Sequence, residues 1–223
     1  MSRLVVVTGG EGGIGRALAA RFSALGDEVE APGRRELDVT DEASVAAFFE
    51  GRGVDVLVNN AGVAESAPLA RTTLDSWRAH LDVNATGAFL CTRAVITGMR
   101  ERGQGAIVTV ASTAGLEGAP YVAAYTAAKH AAVGLMRVAA AELEGTGVTA
   151  NAVCPAFVDT PMTDRTVANI AAKTGRSSDE ARAALGPLLD PDEVAAAVVR
   201  LASPEAAGIS GQTLVIDGGG VQT

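Results

Sequence analysis

Short apolar runs alternate along the chain with longer segments whose apolar positions recur at helical spacing. The runs at residues 4–7, 28–31, 54–59, 106–110, 148–153 and 213–216 read as strands, with a further short one at 37–39. Helical periodicity covers residues 13–25, 41–50, 74–102, 123–144, 161–174, 178–185 and 191–202. Thr40 is positioned to cap the helix that begins at Asp41. Asp190-Pro191-Asp192-Glu193 combines an N-cap, proline at the first helical position and glutamate at the third. Apolar strands alternating with helices predict an α/β fold: a doubly wound parallel sheet with helices on both faces and right-handed crossovers. No repeat and no Pro/Ser-rich linker divides the chain, so residues 1–223 read as a single domain. The polar stretch at 159–190 is the least regular part and reads as a flap over a site.

Composition supports this picture and narrows the function. Hydrophobic residues make up 48% of the 223 residues and aromatics only 4%, which suits close packing of helices on a parallel sheet. The formal net charge of −8 leaves no electrostatic footprint for nucleic acid or an anionic membrane. Cys91 and Cys154 fit no metal or redox spacing and read as buried, reduced thiols. His80 and His130 are unclustered and read as surface or packing residues, so no metal set is expected. The amino terminus enters a strand at once, with no signal peptide, and no apolar run reaches the ~18–20 residues of a membrane span. The expectation is a soluble cytoplasmic protein.

Two motifs carry chemistry. The first strand runs into Thr8-Gly9-Gly10-Glu11-Gly12-Gly13-Ile14-Gly15, which opens a helix. Glycines there permit a tight turn and close approach of backbone to a pyrophosphate, whose charge the helix N-terminus holds. Tyr125 and Lys129 stand four residues apart in Tyr125-Thr126-Ala127-Ala128-Lys129, on one helix face and one turn apart. A free phenol, with a pKa near ~10, is a sluggish acid at neutral pH. An ammonium within ~4–6 Å stabilises the phenolate and lowers that pKa. The tuned phenol can then protonate a carbonyl oxygen as hydride reaches the carbon. Ser112 follows the strand at 106–110, on the side where open α/β sheets keep their ligands, and is placed to hold that oxygen. Asn84 interrupts a helical stretch where asparagine is a poor helix former, which suggests a kink with a role. Each feature also has a plain structural reading: a sharp corner, a solvated helix pair, a strand-end turn. Tyr121 is no substitute for Tyr125, because four residues beyond it stands Tyr125 itself.

The loop spacing Thr-Gly-x3-Gly-x-Gly, the turn Asn59-Asn60-Ala61-Gly62, and Asn84, Ser112, Tyr125 and Lys129 in order give the chain a resemblance to the classical short-chain dehydrogenase/reductase family. The closing segment Ile209-Ser210-Gly211-Gln212-Thr213 through Gly219 extends it over nearly the whole length. The resemblance implies about seven strands and Asn84, Ser112, Tyr125 and Lys129 as the catalytic set, with a proton relay through a water beside Lys129. It implies that Thr8, Gly9, Gly13, Ile14, Gly15, Asn60, Ala61 and Gly62 cradle a dinucleotide, with Tyr125 and Lys129 at its reactive end. Asp38 and Val39 match the adenine-edge positions. Cys154-Pro155-Ala156-Phe157-Val158-Asp159-Thr160 is similar to the family's Pro-Gly-x-Val-x-Thr segment, so Pro155, Val158 and Thr160 would hold the nicotinamide. Ala156 replaces the usual glycine and would be strained if that position needs a positive φ.

Gly33 falls where NAD-using relatives carry an acid, and Arg34 and Arg35 follow it. Arginine suits a 2′-phosphate, so NADP(H) is the expected cofactor, with NAD(H) possible. The link from Arg35 to Val39 is much shorter than in relatives. The reading is an oxidoreductase, similar to 3-oxoacyl reductases, that interconverts a ketone and a secondary alcohol on a small-molecule substrate. A carrier-protein partner is not favoured by the acidic chain. Relatives form homotetramers or homodimers through the long helices. A non-catalytic dinucleotide sensor and a sugar-nucleotide reductase or epimerase stay open as alternatives.

Overall fold

The structure, a computed structural model, describes residues 2–219. Six parallel strands form one sheet: β1 (Leu4–Val7), β2 (Glu28–Glu30), β3 (Val56–Asn59), β4 (Gly105–Val110), β5 (Val148–Pro155) and β6 (Thr213–Ile216). Their order across the sheet is β2-β1-β3-β4-β5-β6, with the reversal of winding beside β1. Helices cover both faces: α1 (Gly13–Ala24), α2 (Glu42–Phe49), α3 (Leu74–Leu81), α4 (Gly87–Arg102), α5 (Ala123–Glu142), α6 (Pro161–Thr174), α7 (Ser178–Ala183) and α8 (Pro191–Leu201). Alternate residues of the strands feed two apolar layers. Val6, Leu57 and Ile107 pack on the α4–α5 side, and Val5, Val56, Val58 and Val108 on the α1–α8 side. This is why the central strands read as continuous apolar runs.

The sheet has six strands, not seven. Residues 37–39 form no strand, because the segment closes its backbone hydrogen bonds locally. Glu36 and Leu37 N–H both donate to Gly33 O at 3.1 and 3.0 Å, and Asp41 N–H donates to Asp38 O at 3.1 Å. Leu37 and Val39 are nevertheless buried, at 3% and 7% exposure, so the short link still plugs the core below the β2 edge. Thr40 is not the cap of α2. Asp41 is, its carboxylate accepting from Ala43 N–H at 3.0 Å, while Thr40 Oγ1 donates to Asp38 Oδ1 at 2.7 Å. The capping box at Asp190 forms as its sequence suggests, with Glu193 Oε2 accepting from Asp190 N–H at 2.8 Å.

The helix expected over residues 74–102 is divided. Between α3 and α4, residues Asp82–Thr86 form a π-turn, with Asn84 inside it. Such single-turn π-bulges are rare and concentrate at functional sites. No helix among the described residues is long and apolar enough to cross a membrane.

Candidate active site

A cleft of about 1550 Å³ opens over the carboxyl ends of β1, β3, β4 and β5. This is where the strand order reverses, and where open α/β sheets bind ligands. Its floor at one end is the glycine loop. Gly9 has φ +67°, and a Cβ there would lie 2.9 Å from Ala61 Cα. A Cβ on Gly15 would lie 2.4 Å from Gly9 O, so only glycine lets α1 start this close to β1. Thr8 lies behind the wall, not on it. Its Oγ1 accepts N–H bonds from Asn60 and Ala61, each at 3.0 Å, and Asn60 Nδ2 returns to Thr8 O at 2.9 Å. The two loops are thereby locked together.

The residues at this end fit a dinucleotide. Helix α1 has no side-chain cap at Gly12, so its first N–H groups open onto the cleft at Gly13, Ile14 and Gly15. An uncapped helix N-terminus is an anion site. Thr160 stands against the start of α1, between the loop and the far end of the cleft, with its methyl 2.7 Å from where a Gly13 Cβ would stand. Pro155 and Val158 line the cleft beside it. Ala156 carries no positive φ and donates its N–H to Ile216 O at 2.8 Å, so the alanine is unstrained. Arg34, Asp38 and Val39 also line the cleft, and Arg35 does not. Asp38 is held ionised, below the usual carboxylate range, first by Thr40's hydroxyl and N–H and then by Arg34.

At the other end, Ser112, Tyr125, Lys129 and Asn84 converge. Ser112 caps a 3-10 turn, its Oγ accepting from Ala114 N–H at 3.2 Å, and its hydroxyl stands beside Tyr125. Lys129 is 5% exposed. Its Nζ donates to Val110 O at 2.8 Å and sits 5.7 Å from the Tyr125 ring centre. Burial lowers the Lys129 amine to about 8. Burial also raises the Tyr125 phenol, outweighing the opposing hydrogen bond from Ser112. The protein's own groups thus hold the phenol protonated, contrary to the simple expectation that the lysine lowers it. A protonated phenol beside a serine hydroxyl is an acid waiting for a carbonyl oxygen.

Asn84 is tied by three bonds. Oδ1 accepts from Val63 N–H at 3.1 Å, and Nδ2 donates to Val63 O and His80 O, both at 3.0 Å. The π-turn offsets the helix register so that this side chain faces Gly62 and Lys129; a Cβ on Gly62 would meet Asn84 Oδ1 at 2.8 Å and Lys129 Nζ at 3.7 Å.

Three residues at the site escape a reading by motif. His80 is 1% exposed, not a surface residue. Its Nε2 accepts from Glu65 N–H at 3.0 Å, Nδ1 reaches Ser76 O at 2.7 Å, and its ring stands edge-on to Tyr125 with centres 6.4 Å apart. Its spacing four before Asn84 was the available signal. Cys154 is fully buried next to Ser112, and burial raises its thiol above the usual range. Tyr121 has φ +71° and is 65% exposed on the cleft rim. Such a left-handed tyrosine is a strained position of the kind that clusters at functional sites. Among the described residues, no three His, Cys, Asp or Glu side chains gather as a metal set would.

Comparison with known proteins bears on this geometry. A family model described as enoyl-(acyl carrier protein) reductase matches residues 12–220. A monensin polyketide synthase putative ketoacyl reductase from Streptomyces virginiae is 39% identical, with 98% of this chain and 97% of the relative covered. The 3-oxoacyl-[acyl-carrier-protein] reductase FabG of Vibrio cholerae is 35% identical, with 97% and 96% covered. The solved structure of a single-residue variant of actinorhodin polyketide ketoreductase with NADPH superposes with a TM-score of 0.87 at 32% identity, covering 98% of this chain and 97% of that one. The chain therefore belongs to the short-chain dehydrogenase/reductase family, oxidoreductases that interconvert a carbonyl and a secondary alcohol with a nicotinamide dinucleotide.

Proposed function

We propose that this chain is a ketoreductase for small-molecule 3-oxoacyl-type ketones that prefers NADP(H) and accepts NAD(H). The observation that carries the reading is the convergence of Ser112, Tyr125 and Lys129 on the cleft that the glycine loop also enters. A bound nicotinamide dinucleotide would supply hydride to the carbonyl carbon or remove it from the carbinol carbon. Glycine-loop backbone, Asn60, Ala61 and Gly62 would hold it, with Pro155, Val158 and Thr160 at its reactive end. Ser112 Oγ orients the substrate oxygen by a hydrogen bond. Tyr125 Oη gives that oxygen its proton during reduction and recovers one in the oxidative direction. The Lys129 ammonium stabilises the phenolate left behind and, from Nζ, starts its reprotonation. Asn84 fixes the backbone at Val63 and the space beside Nζ through which that proton would pass.

Arg34 supports the NADP(H) preference: it lines the cleft, and 81% of its side chain is free to solvent beside Asp38. The 3-oxoacyl class rests on the relatives' activities and on the apolar residues Val63, Ala114, Val122 and Phe157 that line the same cleft as the phenol. The acidic chain does not favour a carrier-protein partner. Helices α6 and α7 would act as the substrate flap of a single catalytic domain. Exposed apolar residues Phe89 on α4 and Val138 on α5, 42% and 56% exposed, support a homodimer or homotetramer joined through those helices. Two buried, unpaired thiols support a reducing compartment, the cytoplasm.

Nicotinamide absorbance, followed while the protein meets 3-oxoacyl thioesters, cyclic ketones and keto-sugars, tests the reading. Turnover should be fastest with the thioesters and faster with NADPH than with NADH. Binding of dinucleotide without turnover of any carbonyl would instead favour a sensor.

A further inference from the structure

The corner where a dinucleotide's adenosine ribose is read contains a carboxylate that no motif assigns. Gly33 stands beyond the β2 edge, where an acid would select NAD. It has no side chain, but the space beside it is filled. A Cβ built on Gly33 would lie 2.4 Å from Glu11 Cδ and 2.6 and 2.7 Å from its two carboxylate oxygens. Standard bond lengths give an aspartate's own oxygens a reach of roughly 2.4 Å from their Cβ. Glu11 therefore puts its carboxylate about where an acid at position 33 would put one.

The backbone brings it there. Gly10 N–H donates to Pro32 O at 3.1 Å, and a Gly10 Cβ would lie 2.2 Å from Ala31 O, so the glycine loop is pressed against the chain leaving β2. The next residue, Glu11, must then reach over Gly33. Its carboxylate has no ion-pair partner among the described residues. Arg16 bonds Glu11's carbonyl, and the carboxylate of Glu36 is engaged by Gly33 N–H at 3.0 Å. Glu11, Gly33, Arg34 and Asp38 line the cleft together, whereas Arg35 and Glu36 do not. Arg34 Nε lies 3.3 Å from Asp38 Oδ2.

We infer that Glu11 is a cofactor-specificity residue. From the phosphate loop it accepts the ribose 2′-hydroxyl of NAD(H), and it repels the 2′-phosphate of NADP(H) that Arg34 attracts. The corner therefore carries two opposed readers and holds the NADP(H) preference to within about tenfold. The inference rests on the dinucleotide reading above, and one experiment separates their failures. Purified wild type, Glu11→Gln and Arg34→Ala are titrated with NADH and with NADPH, following nicotinamide fluorescence, and melting temperatures confirm that each is folded. Glu11→Gln should tighten NADPH about five- to tenfold and weaken NADH a few-fold, while Arg34→Ala should weaken NADPH about tenfold and spare NADH. If wild type binds both cofactors and Glu11→Gln leaves the ratio of the two dissociation constants within about twofold, the role of Glu11 is overturned and the dinucleotide reading stands. If neither cofactor binds the folded wild type, both fall.

Discussion

The wall that carries Lys129, Asn84 and His80 and the helices α6 and α7 along the cleft are held by opposite kinds of contact. Lys129, Asn84 and His80 are 5%, 3% and 1% exposed, and each is bonded to main chain of another segment or an adjacent turn. Helices α6 and α7, the proposed flap, bury only Thr163, Val167 and Ala181. Their ties are at the surface. Arg182 pairs with Asp159 and, at 2.9 Å, with Asp164, and Lys173 Nζ reaches across to Ser66 O at 2.7 Å. Gly175 and Gly186, both with positive φ, bracket the α7 turn. Buried bonds fix atoms because breaking one strands a polar group away from water. Exposed ion pairs hold little, because water and salt replace them. The chain thus holds Lys129, Asn84 and His80 more firmly than α6 and α7, the arrangement that the proposed proton transfer and the proposed flap would need.

The contrast can be broken at its rigid end first. Tyr125→Phe should reduce ketone turnover by about a thousandfold or more while leaving dinucleotide affinity nearly unchanged, since only the proton donor is lost. Steady-state kinetics beside a fluorescence titration would check it; substantial residual turnover would remove the phenol from the mechanism. Asn84→Ala should lower stability by about 2 kcal/mol, seen in denaturant unfolding, and cut kcat about ten- to a hundredfold. It leaves Val63's N–H and carbonyl and His80's carbonyl without their partner.

The pH profile sharpens the same comparison. Burial lowers the Lys129 amine to about 8, so it is charged below that pH and neutral above. The phenol, raised by burial, keeps its proton through this range. For carbonyl reduction, kcat/KM should therefore decline as pH rises through about 8, as the cation that would stabilise the phenolate disappears. A profile flat across that window would detach the amine from the proton transfer. The smallest effect should come from the flap. Lys173→Ala should raise KM about two- to fivefold, leave kcat unchanged and leave the melting temperature unchanged, because a single exposed tie is lost. A fall in kcat of the kind expected for Asn84→Ala would instead show the flap to be part of the rigid wall.

Several features were legible because they are local. The β1 run, the glycines after it, the Asp190 capping box and the four-residue spacing of Tyr125 and Lys129 depend only on neighbours in the chain. Asn84's poor fit to a helix also signalled a break, and the π-turn supplies it. Other features depended on what lies across the fold. Leu37 and Val39 have strand-like side chains, yet the turn from Gly33 takes up Leu37's N–H and no seventh strand forms. His80 looked like any helix residue until the π-turn and the chain at Glu65 closed over it. Arg34 and Arg35 are adjacent and chemically alike, and only one faces the cleft.

The chain by itself determined that strands and helices alternate, that glycine must follow β1, and that a phenol and an amine share one helical turn, because periodicity and backbone freedom are short-range properties. Tertiary structure alone moved the proton affinities of those two groups, since burial disfavours the charged form of each. It likewise decided that Glu11, from the loop after β1, lays a carboxylate where a Gly33 side chain would stand, because the two segments come together where β1 and β2 pair side by side.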